Sequence, residues 1–416
     1  MLVKTHRIFC TKLAALFLAF IIAAVSALPA AAAPVKPKTG TDYPFVFVSG
    51  FAGWGQYDKL YDTVKYWGGI KDDLIKYLNT QGFECFASSV DPVKSAWDRA
   101  CELYAQMTGQ VTDYGEAHSK TYGHERFGPD FSGSRLINDW GRKDAGGRIK
   151  KVNFICHSFG GATARVLAQL MAYGSKEEIK GTENGKVSGL FTGGKSGWIN
   201  SITTLASPHN GTTLTVIADP AYALISGTGK LISFTGIQNV DLSKTDVFGA
   251  YDYLGGLGKV TSEGIGQDTG VYDLSVDGAA ELNKTLSPLK NVYYFSVPCD
   301  ATSAVKNSNE RIPNPMLSEP ILWPSTLLMG SMTGITAGGI VINETWLNND
   351  GVVNTVSCTA PAGEAHKIFD AGNIQPGIWN IMKTFKGDHA SIVGGTMQVF
   401  DVDAYYLAQL KLVDSL

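Results

Sequence analysis

The pattern C-x-S-x-G at residues 156–160 joins an apolar run to a helical pattern. Residues 152–155 predict a buried strand, and residues 160–173 predict a helix. A serine on a sharp strand-to-helix turn is held out of the sheet, and the free N–H groups of the following helix face any oxyanion formed beside it. Because the turn brings Cys156 and Gly160 together, both must be small. The pattern predicts that Ser158 is a nucleophile; the competing interpretation is a buried turn serine.

A nucleophilic serine needs a general base, and the base needs an acid that orients it. On a strand–serine–helix turn these follow along the chain in the order serine, acid, histidine. Of the seven histidines, His366 and His389 come late enough. His389, in a polar loop before a final predicted helix, is the predicted base, and His366 is predicted to be a surface loop residue. Asp350, before a glycine, is the preferred acid; Asp370 and Asp388 are rivals, and a simple turn is the alternative role of Asp350.

Two backbone N–H groups are needed to bind the oxyanion. The first is expected from Phe159, directly after the nucleophile. The second is expected from the loop after the early strand, within residues 46–55. There Gly50 lets the backbone turn, and Phe51 offers its N–H.

A second group of candidate ligands lies within residues 97–128. Asp98, His118 and His124 supply a carboxylate and two imidazoles, which suit zinc. The two histidines are six positions apart rather than four, which excludes the zincin helix motif. Surface histidines remain the alternative, because a closed structural site requires a fourth ligand.

Apolar segments that alternate with helical segments must position these residues. Strands are predicted at residues 45–48, 83–88, 152–155, 199–205 and 291–297, and helices at residues 70–79, 160–173 and 401–412. The alternation predicts an α/β fold with a mostly parallel sheet covered on both faces. Residues 91–147 and 215–268 interrupt it and are predicted to be insertions.

The N-terminal segment has a basic start, an apolar centre and an alanine-rich end, which is typical of a secretory signal peptide. We expect residues 1–31 to be removed and residues 32–416 to form one secreted, extracellular domain; a membrane anchor is the alternative. No later stretch of the sequence is long and apolar enough to cross a bilayer. The five later cysteines lack CxxC spacing and do not indicate a disulfide scaffold. A net charge of −3 argues against a nucleic-acid partner.

Over about residues 43–412 the sequence carries a set of specific motifs. They are GFAGWG (50–55), KYWGG (65–69), WDRACELYAQ (97–106), DYGEAH (113–118), GHERFG (123–128), HSFGGATAR (157–165), ASPHNGTTL (206–214), YDLSVDGA (272–279) and NDGVVNTVS (349–357). In these motifs the chain resembles the thermoalkalophilic, zinc-containing lipases of Gram-positive bacteria, relatives of the staphylococcal lipases. The resemblance implies an α/β-hydrolase fold with Ser158, Asp350 and His389 as the catalytic triad.

The same resemblance implies roles for further residues. It makes Phe51 and Phe159 the oxyanion donors. It adds Asp273 as the fourth ligand of a structural zinc site, which completes a tetrahedral set with the three candidates above. The family's calcium site uses acids two and seven residues after the catalytic histidine, where this chain has Ser391 and Thr396. We therefore expect no calcium at that site.

Two departures from the family pattern lie beside the expected active site. Ser49 stands where the family usually has histidine in the oxyanion loop, so we expect the hydrogen bond that braces this loop to differ. Cys156 stands where the family usually has alanine.

The resemblance implies a secreted, monomeric lipase that cleaves carboxylic esters such as triacylglycerols at an oil–water interface. The segment 215–268 corresponds to the family's lid, and its Gly- and Ser-rich composition extends the expected substrates to aliphatic polyesters. One alternative is a short-chain carboxylesterase without interfacial activation. Another is a zinc-stabilised lipid-binding protein that is not an enzyme.

Overall fold

A seven-stranded parallel sheet carries the predicted site. The computed structural model describes residues 40–69, 73–217, 266–395 and 400–416, so the expected signal segment and most of the expected lid lie outside the described residues. The strands in chain order are β1 (Phe45–Val48), β2 (Cys85–Ser88), β3 (Val111–Asp113), β4 (Phe127–Asp130), β5 (Val152–His157), β6 (Ile199–Leu205), β7 (Tyr293–Val297), β8 (Cys299–Asp300), β9 (Thr302–Ala304), β10 (Arg311–Pro313), β11 (Gly334–Ile335), β12 (Val341–Ile342), β13 (His366–Ile368), β14 (Trp379–Ile381) and β15 (Phe385–Lys386). The main sheet has the order β13-β14-β7-β6-β5-β1-β2, and the other strands form two-stranded pairs.

Helices connect and cover these strands. They are α1 (Lys59–Thr63), α2 (Leu74–Thr80), α3 (Ala96–Thr108), α4 (Glu116–Tyr122), α5 (Gly160–Tyr173), α6 (Lys176–Gly181), α7 (Leu214–Ile217), α8 (Gly270–Leu274), α9 (Val276–Thr285), α10 (Trp323–Met329) and α11 (Val402–Asp414). Short 3₁₀ turns lie at Ser196–Trp198, Pro320–Leu322, Glu344–Trp346, Thr355–Cys358 and Ser391–Val393. Several helices begin at a side-chain cap: Ser95 accepts the N–H of Asp98, and Asp401 accepts that of Ala404.

The central strands alternate their side chains between two apolar layers. Phe45 and Phe47 pack on one face with α2 and α11, whereas Val46 and Val48 pack on the other face with α3 and α5. Every pairing in the main sheet is parallel. This confirms the predicted parallel sheet covered on both faces.

The structure adds detail to one local prediction about the fold and corrects another. The segment 91–147, predicted as an insertion, contributes α3, which packs against α5 and has all but one of its 13 residues buried. This helix is therefore part of the core, and the prediction that the segment is an insertion stays a prediction. His366 lies on the exposed edge strand β13 rather than in a loop.

Two further features concern membrane-spanning helices and disulfide bonds. Within the described ranges, none of the helices combines the length and the apolar character that crossing a membrane requires. Each of the five cysteines after residue 31 is buried and unbridged.

Candidate active site and metal cluster

Ser158 lies on the turn between β5 and α5, in a backbone conformation that few side chains adopt. Its φ is 55°, in the left-handed region, and its N–H donates to the carbonyl of Leu205 at 2.9 Å. A Cβ on Gly160 would lie 2.4 Å from the carbonyl oxygen of Val48, so this position excludes any side chain. The strain and the tight packing hold the serine at the end of the strand, as a nucleophile on such a turn requires.

Asp350 and His389 meet in a buried hydrogen bond. The distance from His389 Nδ1 to Asp350 Oδ2 is 2.8 Å, and Asp350 is fully buried. The other carboxylate oxygen accepts the N–H groups of Val352 and Val353, at 3.0 and 2.7 Å. Because an ionised carboxylate only accepts hydrogen bonds, Nδ1 carries the proton. Nε2 is then the nitrogen that can accept one.

The rival residues lie elsewhere. Asp388 is buried, but its carboxylate accepts the N–H of Glu319 and both the N–H and the hydroxyl of Ser391. Asp370 is exposed and caps a turn at Gly372. His366 is exposed on the edge of the sheet. The structure therefore brings together the preferred acid and base and leaves the alternatives apart from them.

A chain of hydrogen bonds, which we call the relay, links the early loop to His389. Gly50 N–H donates to Tyr66 Oη at 3.0 Å, Tyr66 Oη lies 2.6 Å from His157 Nδ1, and His157 Nε2 lies 3.0 Å from the carbonyl oxygen of His389. A carbonyl can only accept, so Nε2 of His157 carries the proton and the Tyr66 hydroxyl donates to Nδ1. Burial lowers the pKa of His157 far below its usual value and raises the pKa of Tyr66, so both groups stay neutral.

The relay connects three parts of the site. Gly50 precedes Phe51, the expected oxyanion donor, while His157 precedes Ser158. The rings of His157 and His389 lie 4.6 Å apart between their centroids. A Cβ on Gly50 would lie 2.6 Å from Cβ of Ser158, so the loop passes directly over the serine turn. These contacts place the loop, the serine and the histidine side by side.

The two expected oxyanion donors directly follow the two residues in this contact: Phe51 follows Gly50, and Phe159 follows Ser158. Phe159 is fully buried and immediately precedes α5, while Phe51 is half-buried in the loop after β1. Within the described residues, neither backbone N–H donates a hydrogen bond to the protein. Ser49 differs from the family's usual histidine, and its hydroxyl is buried without a partner among these residues. The loop is braced instead through Gly50 by Tyr66 and through the carbonyl of Ser49 by Arg99, at 2.6 Å.

Four side chains form a cluster suited to a metal ion: Asp98, His118, His124 and Asp268. His118 Nε2 lies 3.2 Å from Asp98 Oδ1 and 3.3 Å from Asp268 Oδ1, and His124 Nε2 lies 3.2 Å from Asp268 Oδ2. Ligands about 2.0–2.1 Å from a tetrahedral zinc are separated by roughly 3.3 Å. These three separations fit that geometry, whereas His124 Nε2 lies 4.0 Å from Asp98 Oδ1 and the four ligand atoms lie within 4.8 Å of one another.

Buried atoms without hydrogen-bond partners support the same site. Among the described residues these include Asp98 Oδ1, His118 Nε2 and His124 Nε2, all facing one point. Leaving such polar atoms unsatisfied is costly, so a bound cation explains them. His124 Nδ1 lies 2.9 Å from the carbonyl of Glu125, which places the proton on Nδ1 and frees Nε2 as a ligand. Histidine nitrogen and carboxylate oxygen are both zinc ligands, and structural zinc sites have four ligands.

The fourth ligand differs from the prediction. Asp273 is outside the cluster, because its Oδ2 accepts the N–H of Ala96 at 2.7 Å and so supports the first turn of α3. Burial and the nearby carboxylates of Asp268 and Asp98 raise the pKa of Asp273 to about 7. Asp268, five residues earlier and just before the cap of α8, is the fourth member of the cluster instead. The sequence signal that could have identified Asp268 is a second aspartate close to Asp273, in a stretch without a helical pattern.

Other residues orient the ligand-bearing elements. The indole of Trp97 stacks on the ring of His118, with centroids 4.9 Å apart and planes 13° from parallel. Glu178 is almost fully buried, and its carboxylate accepts the N–H groups of Ala117 and His118, at 3.0 and 2.7 Å. A carboxylate at the start of α4 stabilises this helix and therefore positions His118.

Known proteins share sequence and fold with this chain. The family model described as "lipase-like, C-terminal domain" matches residues 41–411. The lipase of Staphylococcus hyicus is 32% identical over 377 residues, which cover 87% of this chain and 55% of that protein. The chain thus spans about half the length of the curated relatives it matches.

Two solved structures are similar along almost the whole chain. EstA from Clostridium botulinum has a TM-score of 0.75 and 34% identity, covering 91% of this chain and 88% of that one. Lipase 1 from Pelosinus fermentans has a TM-score of 0.75 and 34% identity, covering 90% and 99%. These findings confirm the predicted fold class and the resemblance seen in the motifs.

Proposed function

Because the chain belongs to the lipase-like C-terminal domain family, we propose that it is a lipase that cleaves carboxylic esters through Ser158. The observation that carries the proposal is the buried pair of His389 and Asp350 beside a strained serine turn. A binding protein has no need for a nucleophile, a base and an orienting acid in one place.

The proposed reaction proceeds through an acyl-enzyme. His389 Nε2 takes the proton of Ser158 Oγ as this oxygen bonds to the ester carbonyl carbon, and the carbonyl becomes a tetrahedral oxyanion. The backbone N–H groups of Phe51 and Phe159 hold this oxyanion. As it collapses, the bond to the alcohol oxygen breaks and His389 returns its proton to the leaving alcohol. Water then attacks the acyl-enzyme with the same base, releasing the acid and restoring Ser158.

Asp350 supports this cycle electrostatically. Its carboxylate faces the Nδ1 proton and stabilises the imidazolium that forms when His389 takes the second proton. The two N–H groups that donate to its other oxygen fix the position of the carboxylate. The neutral ring of His157 lies against His389 without adding a competing charge.

We assign the metal cluster to zinc with Asp98, His118, His124 and Asp268 as ligands. Zinc there would supply a structural cross-link between separate segments of the chain, since no ligand position is left for water. The absence of a calcium ion after His389 remains a prediction, which rests on Ser391 and Thr396.

The substrate class rests on the family and on the sequence. Triacylglycerols and other water-insoluble esters are the proposed substrates, and aliphatic polyesters extend the range. The N-terminal residues support secretion. A secreted enzyme would meet such substrates at an oil–water interface outside the cell. A monomer without a nucleic-acid partner remains the expectation.

The test of the chemistry is covalent labelling with a fluorophosphonate. Wild type should gain one adduct on Ser158, and Ser158→Ala should gain none. Ser207→Ala is the matched control, because Ser207 is also buried and its hydroxyl has no partner among the described residues. A wild-type protein that neither reacts nor hydrolyses p-nitrophenyl butyrate would refute the proposal.

The test of the substrate is the rate against concentration for tributyrin and triolein, taken through their solubility limits. A rate that rises when an interface forms, with long chains preferred, supports a lipase. A hyperbolic curve with short chains preferred indicates a short-chain carboxylesterase instead.

A further inference from the structure

Arg99 is a fully buried arginine on α3, directly after the metal-cluster residue Asp98. Its guanidinium donates to the carbonyl of Ser49 at 2.6 Å, to the carbonyl of Asp91 at 2.5 Å and to the hydroxyl of Thr163 at 2.9 Å. A buried cation is costly unless its donors are used, and the planar fork of arginine fixes the partners in space. These hydrogen bonds therefore lock α3 to its neighbours.

Two of the contacts of Arg99 reach the oxyanion residues. The carbonyl of Ser49 belongs to the loop that continues through Gly50 to Phe51. The guanidinium carbon also lies 5.0 Å from the centre of the Phe159 ring, within cation–π range. One side chain thus touches both segments that carry the expected oxyanion donors.

The Phe159 ring also contacts a second segment of the metal cluster. A Cβ on Gly270 would lie 3.1 Å from Cε1 of Phe159, so the ring packs directly on this backbone. Gly270 lies two residues after Asp268, and its N–H donates to the carbonyl of Val93 at 3.0 Å. The ring therefore contacts both α3, through Arg99, and residues 268–270, through Gly270, and each of these segments carries one metal-cluster carboxylate.

Resting on the proposed ester hydrolysis at Ser158, we propose that the metal cluster holds the oxyanion hole in place through Arg99. A metal ion bound by Asp98 and Asp268 fixes the distance between α3 and residues 268–270. Arg99 and Gly270 then clamp the Phe159 ring, and Arg99 holds the Ser49 carbonyl. Arg99 is a positioning residue, because it acts through the backbone N–H groups of its neighbours.

The proposal predicts which kinetic constant changes. The oxyanion donors are used fully only when the carbonyl becomes tetrahedral, so misplacing them lowers kcat and leaves KM nearly unchanged. A general loss of folded protein would instead lower the concentration of active enzyme. The enzyme that remains folded would still bind tetrahedral inhibitors with unchanged affinity.

Coupling between two sites must be reciprocal. If the bound metal improves the oxyanion hole, a tetrahedral adduct in that hole must tighten metal binding by the same factor. Zinc affinity is therefore a readout that does not depend on turnover.

The experiment measures zinc affinity by competition with a chromophoric chelator, with and without a trifluoromethyl ketone bound at Ser158. Wild type should bind zinc about 10-fold more tightly with the adduct present. Arg99→Lys keeps the charge but loses the fork, so its ratio should fall to near one. Its kcat should fall by about 10- to 100-fold, with a matching loss of ketone affinity and a KM within about 2-fold. Thr163→Val is the control, since it leaves the contacts of Arg99 with Ser49 and Phe159 in place and should keep the wild-type ratio.

A wild-type ratio of one, measured with the ketone saturating, would overturn the coupling. So would an Arg99→Lys protein that keeps both the ratio and the ketone affinity. If Arg99→Lys does not fold, the wild-type ratio decides alone. Failure of the proposed function is distinct, because wild type would then bind no ketone and hydrolyse no ester.

Discussion

Replacing Tyr66 by phenylalanine tests the relay that joins the expected oxyanion loop to His389, the proposed base. The change removes one hydroxyl and keeps the ring, so it creates no cavity. It deprives the N–H of Gly50 of its acceptor and Nδ1 of His157 of its donor. Both groups are buried, and water cannot readily replace the hydroxyl.

The expected magnitudes follow from these two losses. Each buried polar group left unpaired costs about 1–3 kcal/mol, so the two losses together should lower the free energy of unfolding by about 2–6 kcal/mol. The loop retains its contact between Arg99 and the Ser49 carbonyl, so the oxyanion donor should shift only slightly. A displacement of about 1 Å costs roughly 100-fold in rate, and we expect about 10-fold in kcat for this smaller shift.

The assay compares Tyr66→Phe with Tyr294→Phe by urea unfolding and by steady-state hydrolysis of p-nitrophenyl butyrate. Tyr294 is also buried, and its hydroxyl accepts the N–H of Leu289 at 2.9 Å, away from the serine turn. The control should lose about 1–2 kcal/mol of stability and keep its kcat. If both variants lose stability and neither loses kcat, the relay supports only the fold and the catalytic reasoning is refuted.

Four further predictions concern the metal, its support and the acid response. Asp268→Ala should abolish stoichiometric zinc in the purified protein, whereas Asp273→Asn should retain it; the opposite result, measured by atomic emission, would restore Asp273 as the ligand. Glu178→Gln weakens the support of α4 and should reduce zinc affinity about 10- to 100-fold in a chelator titration, and an unchanged affinity would contradict that role. Burial and nearby Arg165 keep the pKa of His209 far below its usual value, so the unfolded state binds a proton below about pH 6.5 that the folded state refuses. The stability advantage of wild type over His209→Gln should therefore shrink by about 1.4 kcal/mol from pH 7.5 to pH 5.5, and a constant difference would contradict the assignment. Millimolar calcium should leave the melting temperature unchanged, and a clear rise would refute the expected loss of that site.

The central fold was predictable because its strands are apolar and its helices are bounded by clear signals. The limits of β6 at residues 199–205 and of α5 at residues 160–173 agree with the predictions. The strands β13 and β14 were not predicted. They have only three residues each, and β13 is mostly exposed, so neither leaves a hydrophobic pattern.

The parts of the candidate site differ in how much of each could be predicted from the sequence. Ser158, Asp350 and His389 follow a fixed chain order with recognisable local contexts. The relay joins residues 66, 157 and 389, and no local pattern records a contact over such a distance. For the fourth metal ligand, the sequence predicts Asp273, whereas the cluster in the structure contains Asp268, five positions earlier. Asp273 lies in the more conspicuous helical motif, whereas Asp268 lies in the segment before α8, which pairs with residues 93–94 just before α3.

The reactivity of the buried, unbridged cysteines can be used to measure local opening of the fold. Cys101 and Cys156 belong to the apolar layer on one face of the sheet, and Cys85 and Cys299 to the layer on the other. Burial raises the pKa of the thiols of Cys101, Cys156 and Cys299, so they react with disulfide reagents only after exposure. Rates of thiol modification, followed residue by residue, therefore compare how often each layer opens, and the native fold requires no oxidant to form.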